Sequence, residues 1–165
     1  MLRVIQNIFL FIILVVVQVL VLNNIQFLGY VNPFIYILFI ISLPVKLKRW
    51  ITLILAFVLG LTIDAFSDTM GMHAFATVMI AFFRDGIIRL FTSIEEGNNP
   101  IPSFYSFGVA SYIKYVVLMV LIHHTSLFLL ESFSFSNIWL VSLKIAVSSL
   151  VTILIILGIR SFSKK

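Results

Sequence analysis

The sequence predicts an all-α fold: a polytopic membrane bundle of six transmembrane helices, forming one integral membrane domain over residues 1–165. Three observations predict it. Apolar residues make up 62% of the chain and charged residues only 10%, where a water-soluble domain carries about a quarter charged residues. The mean hydropathy is +1.21. The apolar residues also fall into runs of roughly membrane length, bounded by short polar or basic turns.

The first run, about residues 4–22, follows Arg3 and ends at Asn23 and Asn24, whose amides favour turns and are costly in hydrocarbon. It is longer than a signal-peptide core and has no small-x-small cleavage site after it, so it is expected to be a retained span. The second, about 27–45, is interrupted by Asn32-Pro33 and closed by Leu43-Pro44. Proline removes a helical donor and restricts the residue before it, so a broken or re-entrant entry is expected here. The third, about 50–66, follows Lys46, Lys48 and Arg49, with Trp50 suited to the headgroup boundary. The turn SDTMG leads to the fourth, about 71–91. Its membrane part is expected to end near Phe83 and to continue as an amphipathic interfacial stretch, where Arg84, Asp85 and Arg89 alternate with apolar residues. EEGNNPIP reads as a loop. The fifth and sixth runs, about 104–122 and 138–159, carry Lys114 and Lys144, and HHTSLFLLESFSFSN between them reads as a surface segment at the interface.

The net charge of +5 does not point to nucleic acid, because the basic residues flank apolar runs and form no continuous patch. With both termini cytoplasmic, nine of the eleven Lys and Arg residues fall on the inner side, Arg84 among them. Lys114 and Lys144 lie within spans and are expected to snorkel or to meet membrane lipid. The absence of cysteine excludes disulfides, thiol nucleophiles and thiolate metal sites, and leaves the redox compartment open.

The chain is organised around Trp50 to Arg84, two apolar runs joined by a short acidic turn. Ala56, Gly60 and Asp64 recur every four residues, placing two small side chains and a carboxylate on one helical stripe, a seam that another helix can approach closely. Gly71 is free to take a positive φ in the turn. The partner or helix-packing candidates are Pro33, Pro44, Ala56, Gly60, Asp64, Gly71 and His73.

NPFIYILFIISLP, a basic turn, and then AFVLGLTIDAFSDTMGMHAFATVMIAF resemble the bacterial rod-shape-determining membrane proteins of the MreD family. The matching positions are Pro33, Pro44, Gly60, Asp64, Thr69 and Gly71, over roughly residues 32–83. One departure is His73, where some members carry a basic residue; histidine is largely uncharged near neutral pH. The resemblance implies a non-enzymatic scaffold of the cell-elongation complex in the bacterial inner membrane, acting in cell shape and peptidoglycan synthesis. Its implied partners are MreC and, through it, the filament MreB, a SEDS glycan polymerase and a class B penicillin-binding transpeptidase. It implies no catalytic residue, cofactor or metal, and a fold similar to the S components of energy-coupling-factor vitamin transporters.

The residues can be weighed beside that resemblance. Asp64 reads as a packing or helix-end carboxylate ahead of a proton or ligand site, and a pair with the His73 side chain is the preferred local arrangement. Asp64 and Asp68 lie one turn apart, weak evidence for a divalent cation. Arg84 is about 21 Å of helix from Met70, on the opposite side of the membrane from Asp64. His123 and His124 point about 100° apart on a helix and read as interface-exposed. Ser126 beside them lacks an oxyanion hole, and the 17 phenylalanines read as packing and lipid-facing surface. A vitamin-transporter S component is the alternative function, and a small lipid-modifying enzyme a third.

Overall fold

The computed structural model describes residues 2–24, 31–93, 99–132 and 137–162. Among these the regular structure is helical: α1 (Leu2–Leu20), α2 (Leu38–Ile41), α3 (Arg49–Ser67), α4 (Met72–Phe91), α5 (Phe104–Phe107), α6 (Val109–Ser132) and α7 (Ile138–Phe162), with single 3₁₀ turns at Leu22–Asn24 and Ile35–Ile37. The stretches Ile5–Asn24, Arg49–Ser67, Val109–Ser132 and Ile138–Phe162 are long and apolar enough to cross a membrane. This is a membrane protein with four such helices among the described residues. Of the two other expected spans, α4 has the length, 20 residues, but Arg84, Asp85 and Arg89 fall in its second half.

The remaining expected span, about 27–45, is the main correction. Residues 27–30 lie outside the described residues, and beyond them helix is confined to Ile35–Ile41, a 3₁₀ turn running into the four residues of α2. The cause is local. Pro33 has no N–H and biases Asn32 towards extended backbone, while Pro44 does the same to Leu43 at the other end. This short element is nevertheless the centre of the molecule. Tyr36, Ile37, Ile40 and Ile41 are completely buried, and Leu38, Phe39 and Leu43 nearly so. The most extensive helix pairings are α3 with α4, α4 with α6, and α6 with α7; α1 and α7 close on the central segment from the two ends of this series.

Two further expectations change. The fourth run does not turn along an interface at Phe83: α4 continues unbroken to Phe91, with Ile87 and Ile88 buried in the core. The fifth run does not end near Ile122. After the short capped turn of α5 and Gly108, at φ 78°, α6 runs 24 residues and takes in His123, His124 and Glu131. The histidines did not stop the helix because three of their four ring nitrogens are met inside the bundle by Tyr36, Val120 and Thr152, and Glu131 is exposed at its end. Of the supposed surface segment, residues 133–136 lie outside the described residues.

Candidate functional site: a buried polar frame around the broken segment

A backbone that leaves helical form inside an apolar bundle exposes N–H and C=O groups that must find partners. Here most of these groups are met by side chains from other helices. At the leading end, the Asn32 N–H donates to Ser148 Oγ (3.1 Å) and the Phe34 N–H to Thr152 Oγ1 (3.1 Å), both on α7. Gln18 on α1 serves two groups: its Oε1 accepts from the Ile35 N–H (2.9 Å) and its Nε2 donates to the Pro33 carbonyl (3.1 Å). Pro33 has no donor to satisfy, which is one reason a proline is tolerated there.

At the trailing end the exposed groups are carbonyls, and donors meet them. Arg84 on α4 donates through Nε to Ile40 O (3.1 Å) and through Nη2 to Leu43 O. Tyr115 on α6 donates to Ile41 O (3.2 Å). Ser42 Oγ donates to Leu38 O (2.5 Å) and accepts from Arg160 on α7. Arg84 is therefore fully buried within the bundle, correcting its reading as an interfacial topology charge. Its planar fork spans two carbonyls three residues apart, which a point-like ammonium does poorly.

The histidines sit between these ends, and all three are buried. This overturns the interface-exposed reading of His123 and His124. His124 Nδ1 lies 3.0 Å from Val120 O; since a carbonyl only accepts, Nδ1 carries the proton and Nε2 accepts from the Thr152 hydroxyl at 3.1 Å. Thr152 thus connects the Phe34 N–H to His124. Tyr36 Oη lies 2.8 Å from His73 Nδ1 and 2.7 Å from His123 Nε2. A hydroxyl has one proton, so it donates to one ring and accepts from the other. Among the described residues His123 Nδ1 has no hydrogen-bond partner. The arrangement that leaves no bare buried N–H is His123 Nε2–H to Tyr36, and Tyr36 O–H to His73. Phe34 packs edge-on to His73 (5.4 Å between centroids) and lies 5.4 Å from the His124 ring.

Asp64 takes a different partner from the one expected. Its Oδ1 accepts from the His73 backbone N–H (3.0 Å) and from the Thr69 hydroxyl (2.6 Å), and Oδ2 accepts from the Ala74 N–H (2.8 Å). The carboxylate caps the first turn of α4, where orphan N–H groups and the helix dipole both favour a negative charge. The His73 ring is engaged by Tyr36 instead. Asp68 ends α3 in left-handed conformation (φ 54°) and is exposed while Asp64 is buried, so the two carboxylates do not share a site.

The stripe Ala56, Gly60, Asp64 faces α4. The Thr77 hydroxyl of α4 lies 2.8 Å from Ala56 O, and a Cβ added to Gly60 would overlap the Ala74 backbone and Thr77 Oγ1. Gly71 takes φ 82° ahead of α4. Pro33 and Pro44 bound the central segment. Sequence reasoning singled out these residues but missed Gln18, Tyr36, Ser148, Thr152 and Tyr115. Gln18 carried a readable signal, being an amide inside an otherwise apolar span.

Comparison with known proteins gave no match: no family model, no curated protein and no solved structure corresponds to the chain. The resemblance over residues 32–83 therefore rests on sequence pattern.

Proposed function

We propose that this chain is a non-enzymatic scaffold subunit of the bacterial cell-elongation complex. On this reading it lies in the inner membrane, acts in cell shape and peptidoglycan synthesis, and binds MreC and through it MreB, a SEDS glycan polymerase and a class B penicillin-binding transpeptidase. The observation that carries the reading is the use made of the buried polar side chains. Asp64 caps α4, Arg84 and Tyr115 bind carbonyls of the central segment, and Tyr36 bonds both His73 and His123. With Tyr36 and His123 completely enclosed, these groups serve architecture, and a buried frame of cross-helix hydrogen bonds favours one rigid arrangement of helices. Of the residues carrying the family resemblance, Asp64 and Thr69 belong to that frame, Pro33 and Pro44 bound the segment it holds, and Gly60 and Gly71 shape the α3–α4 hairpin.

Six crossings complete the reading. α4 is about 30 Å long, and residues 31–43 cover about 25 Å as a short extended entry followed by the 3₁₀ turn and α2. Arg3, Lys46, Lys48, Arg49, Arg89, Lys164 and Lys165 then share the cytoplasmic side with both termini, even with Arg84 left out.

Copurification from a rod-shaped bacterium is the test. MreC and the wall synthases should be recovered with the tagged chain, and depletion should round the cells. Recovery of an ATPase pair with a tightly held small molecule, and no wall protein, would instead establish the vitamin-transporter alternative; turnover of a lipid-linked substrate by the purified chain would establish an enzyme.

A further inference from the structure

Where the central segment leaves the core, the turn at Val45, Lys46 and Leu47 faces the last turns of α4, and a cleft of about 380 Å³ opens between them. Asp85, Ile88 and Arg89 form its other wall. We propose that this cleft binds the headgroup of an anionic phospholipid, the phosphate lying between Lys46 and Arg89 and the glycerol against Val45, Leu47 and Ile88. The inference does not depend on the scaffold reading.

Charge carries the argument. Among the described residues neither Lys46 nor Arg89 has a carboxylate within ion-pair distance, and both are exposed. The acid in the wall is already engaged: Asp85 Oδ1 lies 3.9 Å from Nη1 of the buried Arg84, and that nitrogen has no hydrogen-bond partner among the described residues. Arg84 thus offsets Asp85 from behind, leaving two cations at the mouth with no ion-pair partner among the described residues. The backbone is not available to bind an anion, because the N–H groups of Val45, Lys46 and Leu47 donate to Pro100 O (3.0 Å), Asn99 Oδ1 (2.8 Å) and Pro44 O (3.3 Å). Those same bonds hold the turn in place, so the two side chains project from a fixed base. Location selects a lipid over other anions. Trp50, 60% exposed at the start of α3, marks the level of the headgroups a few residues on, and basic pockets between membrane helices at that level suit anionic headgroups. The volume is within the range of small-molecule sites.

Native mass spectrometry of the purified full chain, titrated with phosphatidylglycerol or phosphatidylcholine, tests this. The wild type should hold phosphatidylglycerol more tightly. Each cation should contribute roughly fivefold, so K46Q/R89Q should bind it about twenty-fivefold more weakly, while Lys144→Gln, near the opposite end of the bundle, should not. If the double variant does not fold, Thr92→Glu provides the same test by adding a carboxylate to the lining. Equal binding of the two lipids by the wild type, or unchanged binding by K46Q/R89Q and Thr92→Glu, overturns the proposal. So does full displacement of the lipid by excess inorganic phosphate, which would make free phosphate the ligand.

Discussion

The two ends of the central segment solve the same problem with different chemistry. At the Asn32–Ile35 end three of the groups are N–H donors, and neutral oxygens of Gln18, Ser148 and Thr152 accept from them, while the Gln18 amide donates to the Pro33 carbonyl. At the Leu38–Leu43 end they are carbonyls, and Arg84, Tyr115 and the Ser42–Arg160 pair supply the donors. Acceptors of N–H can be small neutral hydroxyls and amides, whereas carbonyls spread over three residues draw in a long forked cation. The charged end should therefore be the harder one to replace, because hydrogen bonds from a charged donor are the stronger ones.

Arg84→Met gives the largest expected effect. Leu43 O loses its partner and Ile40 O keeps only the long bond from the Leu43 N–H (3.4 Å), for a cost of about 3 kcal/mol, measured by SDS titration in mixed micelles. Arg84→Lys should recover less than half, since an ammonium cannot match the fork. Next comes Gln18→Met, which leaves the Ile35 N–H and Pro33 carbonyl bare without changing side-chain length. It should cost about 2 kcal/mol. If Gln18→Met proves as damaging as Arg84→Met, charge is not what separates the ends.

The difference also accounts for what could be read from the sequence. The α3–α4 hairpin was legible, because Ala56, Gly60, Asp64 and Gly71 act through short-range spacing: Gly60 lies against Ala74 and Thr77, Asp64 caps α4, and Gly71 supplies the positive φ of the turn. The central segment was half legible: Pro33 and Pro44 announced a break, but the groups that make the break tolerable lie on α1, α4, α6 and α7. Asn32 meets Ser148 and Phe34 meets Thr152 across more than a hundred residues, and no local pattern encodes that. His123 and His124 were misread for the same reason. Their polarity argues for water until a hydroxyl from Tyr36 or Thr152 is brought to them by the fold. Arg84 was misread because an arginine near a span end ordinarily marks an interface.

Between the two ends, Tyr36→Phe removes one oxygen and keeps the ring packing. It leaves His73 and His123 without their shared partner at the junction of α4, α6 and the segment, and should cost about 1.5 kcal/mol. A phenylalanine variant as stable as the wild type would make the histidines merely tolerated polarity.

The smallest expected effect is at Thr152, where valine preserves shape but removes the acceptor for the Phe34 N–H and the donor to His124. Both partners are neutral, and His124 can still donate to Val120 O. One bare N–H and one bare imidazole nitrogen should cost about 1 kcal/mol. The informative comparison is the double variant. Gln18 and Thr152 hold adjacent N–H groups of one backbone turn from opposite sides, so Gln18→Met with Thr152→Val should depart from additivity, by at least 0.5 kcal/mol on the scale usual for coupled neighbours. Strict additivity would mean that each helix grips the segment independently and that its leading end is not a single cooperative cap.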